Sequence, residues 1–347
     1  MNPGVIFGVS RPLLDIILRP EIPFPRVATL AFEKCGLKIS NNDRQTPRFC
    51  RERRLIVRRR DFLKTGAALA VGSLTGAEKP VSGTTPKETE TRTLPTVRLG
   101  TLEVSRLILG SNPFWGYSHK SAKLDEEMRR HHTDERIMQI LNEAADCGLT
   151  ALASPPDERW VNLWARYQEQ GGRLKIWISQ CHGLPDQMPE EIDRSIKAGA
   201  GAIFIQGARV EEQFSGGNFD VLQSWIERIK EAGLPAGAAA HWPEIHPELE
   251  RRKFPTDFYY QCFYNVSKSN DYSAAEREKA MATIAKLAKP VIAYKILAAG
   301  RLTASEGFEF AFNHITRKDG VCVGIFAQKA IDQIRQNATY TETLTPK

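Results

Sequence analysis

The sequence predicts an α/β fold: a (β/α)8 TIM barrel with an N-terminal β-hairpin, preceded by a disordered leader and a signal segment. Three observations carry this reading. Residues 97–347 amount to about 250 residues, the usual extent of such a barrel. Eight short apolar runs alternate with eight longer amphipathic ones. The short runs are apolar throughout rather than alternating, which implies burial on both faces and parallel strands joined by helical crossovers.

Taken in order, VRLGTLEVSRL sets Leu99-Gly100 between two strand-like stretches and reads as a hairpin that would cap the bottom of a closed barrel. RLILG (106–110) is followed by ERIMQILNEAADCG, LTALAS (149–154) by ERWVNLWARYQEQGG, and LKIWIS (174–179) by EEIDRSIKAG. AGAIFIQ (200–206) precedes FDVLQSWIERIKEAG, LPAGAAAH (234–241) precedes PELERR, and FYYQCFYN (258–265) precedes AEREKAMATIAKLA. PVIAYKILAAG (290–300) leads to a helix near Glu306 to His314, and GVCVGIF (320–326) leads to AQKAIDQIRQNA. An open doubly wound sheet is the competing topology, but LGSNPFWG lacks the GxGxxG turn such a sheet normally carries. The connection from Gly116 to Thr133 is long and reads as a lid at the barrel mouth. Within it, His131 and His132 sit in a charged stretch and read as solvated.

Ahead of the barrel, Arg58 to Lys64 read RRRDFLK and run directly into the small, uncharged TGAALAVGSLTGA. That pairing resembles a twin-arginine signal at 58–77, which addresses a folded protein to the twin-arginine translocase and so to the periplasm or another exported location. The apolar run is shorter than the roughly 20 residues a permanent membrane helix needs, so no stable membrane span is expected. Residues 1–57 read as a disordered or mis-started extension. Residues 78–96, rich in Thr, Glu and Pro, read as a linker with too little apolar surface to offset ordering entropy.

The chain carries a net charge of +7, but 14 Lys or Arg face 6 Asp or Glu up to Lys64, and 34 face 35 beyond it. The body is therefore near neutral and offers no basic footprint for nucleic acid. Cys147, Cys181, Cys262 and Cys322 lie far apart with no CxxC spacing and read as free, buried thiols; a reactive Cys181 beside His182 is the alternative.

VRLGTLEVSRLILG, QCFYN, VIAYKILAAGRL and GVCVGIFAQKAIDQIRQN, in that order and spacing, resemble the aldo-keto reductase superfamily. The resemblance implies a barrel that binds NAD(P) and reduces carbonyls with an Asp-Tyr-Lys-His tetrad. This chain departs from the tetrad at every member, carrying Ala153, Glu158, Gln180 and Gln206 at those positions. The resemblance assigns Gln261 to the nicotinamide amide, Tyr294 to its ring and Gly324 to the phosphate side, followed loosely by Gln328 to Asn337. The family's Ser-Asn pair falls near Ala239-Ala240.

With the tetrad gone, the strand tops carry the chemistry, because barrel active sites form at the C-terminal ends of strands. His241 and Lys295 each interrupt an apolar strand near its exit, where an unpaired charge would be costly, and form the first acid/base pair, with Asp157 after the second barrel strand as a further candidate. A snorkelling Lys295 and a structural His241 are the plainer readings. His182, His241 and Glu244 form a weaker alternative as a metal set. Phe114, Trp115, Tyr117, Trp160 and Trp242 place aromatic faces near the mouth, and Asn112, Gln180, Gln206, Asp157 and Tyr264 add polar groups, so a carbohydrate-like small molecule is the expected ligand. Trp164, one turn from Trp160, reads as helix packing.

Three functions stay open on the sequence: an exported NAD(P)-dependent oxidoreductase on a sugar-like carbonyl or alcohol, a dinucleotide-independent lyase, isomerase or hydrolase with or without a metal, and a barrel that only binds a ligand. Replacing Arg59 and Arg60 by Lys is expected to hold the protein in the cytoplasm, whereas the unaltered chain leaves it and is cut after Ala77. N-terminal sequencing of fractionated cells reads both outcomes.

Overall fold

The computed structural model describes residues 92–265, 274–326 and 330–345. The leader, the signal segment, residues 78–91 of the linker, and Gln328 and Lys329 lie outside the described residues.

Strands β1 (Thr96–Leu99) and β2 (Leu102–Ser105) pair antiparallel across a turn at Gly100, whose φ of 61° is the left-handed region that favours glycine. Eight parallel strands follow: β3 (Leu107–Gly110), β4 (Ala151–Ser154), β5 (Ile176–Cys181), β6 (Ala202–Ile205), β7 (Ala236–Ala240), β8 (Phe258–Cys262), β9 (Val291–Tyr294) and β10 (Gly320–Gly324). Each pairs with the next in sequence, and β10 closes on β3. All eight predicted strands are present, seven of them shorter than their apolar runs by one to seven residues and β5 shifted two residues toward the C-terminus.

The helices are α1 (Asn112–Trp115), α2 (Ala122–His131), α3 (Asp134–Asp146), α4 (Glu158–Glu169), α5 (Met188–Lys197), α6 (Gly207–Gly216), α7 (Phe219–Glu231), α8 (Ile245–Arg251), α9 (Ala274–Ile284), α10 (Ala304–His314) and α11 (Ala330–Leu344). Two of the longer ones stand outside the predicted set. α2 lies within the connection read as a lid and buries Met128 alone, so it shows no apolar stripe to read. α6 is a second helix between β6 and α7, with the small buried set Gly207, Val210 and Gln213. Among the described residues no helix is long and apolar enough to cross a membrane.

Alternation along the strands divides the core in two. One set, including Ile203, Ile205, Trp177, Tyr259 and Val321, packs outward on the helices; the other, including Ile108, Ala151, Ala153, Ile178, Ala202, Phe204, Ala239, Tyr260 and Ile292, fills the barrel. Val97, Leu99 and Val104 of the hairpin join the interior set, as expected of a cap. Inside, Phe204 and Tyr260 stack with ring centroids 4.1 Å apart, and the small residues opposite make room for them. Closure between β10 and β3 is reinforced by buried Arg106, which donates to the carbonyls of Asp319 and Thr316 at 2.7 Å each.

Packing corrects two of the mouth aromatics and one histidine. Phe114 and Trp160 are fully buried; Trp160 stacks on Trp164 and meets Trp177 edge-on within the helix layer. His132 is 1% exposed, held by its Nδ1 to the Met128 carbonyl and packed on Phe114 and Phe326, so it is core rather than solvated. An added methyl at Gly237 would meet the Phe258 ring at 2.4 Å in the filled interior. Gly237→Ala is therefore expected to destabilise by about 1–3 kcal/mol, read as a lower denaturant midpoint at unchanged slope.

Candidate active site

Interior parity continues past the strand ends: Gln180 follows Ile178, Gln206 follows Phe204, and His241 follows Ala239. At β9 the same alternation places Tyr294 inward and would send Lys295 out to the helices. It does not, because Lys295 has φ 55°. The left-handed residue breaks the alternation, at a cost of about 1–3 kcal/mol for a side chain of this kind, and its Nζ comes to 3.5 Å from His241 Nε2.

Behind His241 stands Glu211 of α6. Its Oε1 accepts from the His241 backbone N–H at 2.5 Å and lies 3.0 Å from Nδ1. A carboxylate only accepts, so Nδ1 carries the hydrogen and Nε2 turns a lone pair toward Lys295. Burial acts to raise the Glu211 carboxyl, yet the hydrogen bonds it accepts from His241 hold it below its ordinary value. Close approach depends on Gly207, where a Cβ would sit 3.1 Å from His241 Nδ1 and 3.4 Å from the Tyr294 hydroxyl. The Tyr294 ring lies edge-on to His241 at 5.7 Å, and burial pushes its phenol well above 10.

Over this group lies the loop between α1 and α2. Arg301 donates to the His119 carbonyl at 3.0 Å, and Lys120 Nζ donates to the Gly300 carbonyl at 2.8 Å, clasping the loop to the segment after β9. His119 has φ 56°, and burial, followed by the charge of Lys295, lowers its pKa to about 4. The His119 imidazole is therefore neutral at neutral pH.

A second polar group crowns β4 and β5. Glu191 Oε2 accepts from the backbone N–H groups of His182 and Gly183 at 2.7 Å, while Oε1 lies 3.4 Å from His182 Nδ1. His182 Nε2 faces Asp157 at 3.8 Å, and burial raises the Asp157 carboxyl above its ordinary value.

His241 and Lys295 are thus brought together, and Asp157 joins His182 instead. Gln180 and Gln206 stand on the interior parity of adjacent strands. Glu244 is exposed ahead of α8. Among the described residues no three His, Cys, Asp or Glu are gathered to hold a metal, so His182, His241 and Glu244 do not form such a set. Cys181 is fully buried with its thiol pushed up to about 12, which corrects the reactive-thiol reading.

Tyr264 is 1% exposed and accepts from Arg277, in the helix layer rather than at the mouth. Asn112 is exposed on α1, and Trp115 is half-buried with the Arg159 guanidinium over its ring. A cleft of about 200 Å³ opens beside His241, lined among others by Trp242, Glu244, Cys262 and Asn265.

Of the three residues assigned to a dinucleotide, the structure buries Gln261 and sets Gly324 against Pro113. Gln261 has the outward parity and is fully buried, its amide given to the Cys262 carbonyl at 3.1 Å. Gly324 abuts Pro113 of α1, whose ring occupies the space beside it at 2.7 Å from a built Cβ. Tyr294 alone reaches the mouth.

Sequence reasoning missed Glu211, Glu191 and His119. GARVEEQF shows two adjacent glutamates without marking which one turns inward, and His119 reaches the site only through the clasp. Burial lowers His119, His132 and His246 from 6.5 to about 4 each. Below pH 6.5 the unfolded chain takes up protons at these positions that the folded chain refuses until about pH 4. Stability is therefore expected to fall as pH drops through that window, by about 1.4 kcal/mol per pH unit for each proton. Denaturant titrations across the window should show a slope that His119→Gln reduces by one proton.

No family model matches the chain, and no curated protein matches it. Among solved structures, it is similar to a crystal structure of a Pseudomonas aeruginosa protein assigned to the aldo-keto reductases, at 18% identity over 73% of this chain and 98% of that one, with a TM-score of 0.53. A second structure under the same assignment and from the same organism is similar at 17% identity over 73% of this chain and 97% of that one, with a TM-score of 0.52. At these identities the likeness is one of fold: the chain is a TIM barrel of the kind those proteins adopt.

Proposed function

We propose that this barrel is an exported enzyme that performs acid–base chemistry on the carbonyl or hydroxyl of a small carbohydrate-like molecule, without a dinucleotide. The observation that carries the reading is the Glu211–His241–Lys295 chain at the strand ends, in a family-like barrel whose tetrad positions hold Ala153, Glu158, Gln180 and Gln206. His241 Nε2 removes or returns a proton at a ligand hydroxyl, as a general base within reach of the mouth. Glu211 is a positioning residue: it keeps the hydrogen on Nδ1 and stabilises the imidazolium when Nε2 is charged. Lys295 supplies positive charge where an oxyanion develops.

Gln180, Gln206 and Asn112 would grip hydroxyls, and the exposed Trp242 beside the cleft offers an aromatic face. The RRRDFLK address supports export through the twin-arginine translocase, and so a periplasmic or otherwise exported site of action. A second reading, an NAD(P)-dependent oxidoreductase, is favoured by the fold likeness and by Tyr294 at the mouth. The buried Gln261 and the filled space at Gly324 speak against it.

Incubating the mature protein with aldoses, ketoses and sugar acids, followed by proton NMR, identifies a substrate. With it, Glu211→Gln is expected to lower kcat by about a hundredfold and to move the acid limb of the pH profile while leaving KM nearly unchanged. Turnover of that sugar by Glu211→Gln at the unaltered rate would refute the relay. Calorimetric titration with NADP and NAD is expected to give no binding; binding with hydride transfer to the sugar would establish the second reading instead.

A further inference from the structure

We infer that Lys295 is a covalent catalyst, forming an iminium with the carbonyl carbon of a small hydroxy-ketone or hydroxy-aldehyde. This step rests on the acid–base reading of the mouth and narrows its substrate class. Three features of the site support it. The amine is turned back toward the mouth by a left-handed backbone residue at the end of β9, where strand alternation would have sent it outward. Among the described residues no carboxylate pairs with it. Its polar contact is instead Nε2 of His241, the unprotonated nitrogen of an imidazole whose other nitrogen is held by Glu211.

Three other lysines on this body are committed elsewhere. Lys230 pairs with Asp257, Lys289 donates to Phe254 and Thr256, and Lys120 donates to Gly300. The Lys295 amine therefore faces a proton acceptor rather than an acid to neutralise. A primary amine beside a proton carrier is the equipment that Schiff-base formation requires.

The balance is as follows. His241 Nε2 takes one proton from the Lys295 ammonium, and the freed nitrogen lone pair bonds to the carbonyl carbon as the C=O π pair moves to oxygen. The oxygen receives that proton back from Nε2. A second proton leaves nitrogen by the same route and reaches the oxygen, which departs as water while the nitrogen lone pair closes the C=N bond. The iminium keeps the third proton and the single positive charge, and no oxidant or reductant is consumed. As an electron sink, the iminium then permits loss of a proton or cleavage of a carbon–carbon bond next to it, the reaction classes of isomerases and aldol-type lyases.

The test is reductive trapping on the folded, mature chain. The protein is mixed with 1,3-dihydroxyacetone or glyceraldehyde and sodium cyanoborohydride, quenched at short times and mapped by peptide mass spectrometry. Lys295 is expected to carry the reduced adduct at least about tenfold faster than the exposed Lys253. His241→Gln is expected to remove that advantage. Lys295→Arg, which keeps the charge but cannot form the adduct, is expected to lose the fast phase while circular dichroism shows the barrel intact. Labelling of Lys295 no faster than Lys253 in the unaltered protein overturns the proposal, and this comparison needs no variant to fold. That result would leave the effect of Glu211→Gln on turnover untouched, so failure of the covalent step and failure of the acid–base reading are distinguishable.

Discussion

The arrangement of the mouth depends on one backbone distortion, the left-handed residue at Lys295. A strand that continued past Tyr294 would bury the next side chain among helices, where an ammonium without a partner is prohibitively costly. Breaking the alternation exchanges that cost for local strain and sets the amine against His241. The surrounding structure holds the distortion in place: Ala298 and Ala299 are also left-handed, and Arg301 reaches back to the Ala298 carbonyl while gripping the loop that carries His119.

Around that residue the barrel divides the labour between its ends. At the bottom the hairpin and the Arg106 hydrogen bonds seal the interior and close the ring. At the top, the Phe204–Tyr260 stack adjoins Tyr294, whose ring in turn meets His241. Glu211, brought in by the extra helix α6, then fixes the tautomer of the histidine. Three sequence positions far apart, 211, 241 and 295, are thereby joined in one chain of polar contacts, while Asp157 and Glu191 form a separate acidic pair around a second imidazole, His182.

Much of the fold was legible in the sequence because it rests on period and length. The eight apolar runs and the Leu99-Gly100 turn each announce an element locally, and each formed. α2 and α6 were not legible, since short, charged helices that bury one to three side chains leave no periodic stripe. Phe114, Trp160 and His132 were misplaced for a related reason: side-chain type says that a residue can line a mouth or a core, and only packing decides which. The site was half legible. His241 and Lys295 stood out as polar residues at apolar strand exits, whereas Glu211 and His119 carry no local mark.

What the sequence determined by itself was the barrel and its closing hairpin, because strand burial on two faces and the alternation of strand and helix are properties of neighbouring residues. It also marked the strand exits as the place where polar chemistry gathers. Only the tertiary structure decided which polar groups meet, that Gln261 turns outward by strand parity, and that a left-handed backbone redirects Lys295. Those outcomes depend on contacts between segments tens of residues apart, where the geometry of one strand end sets the partner of another.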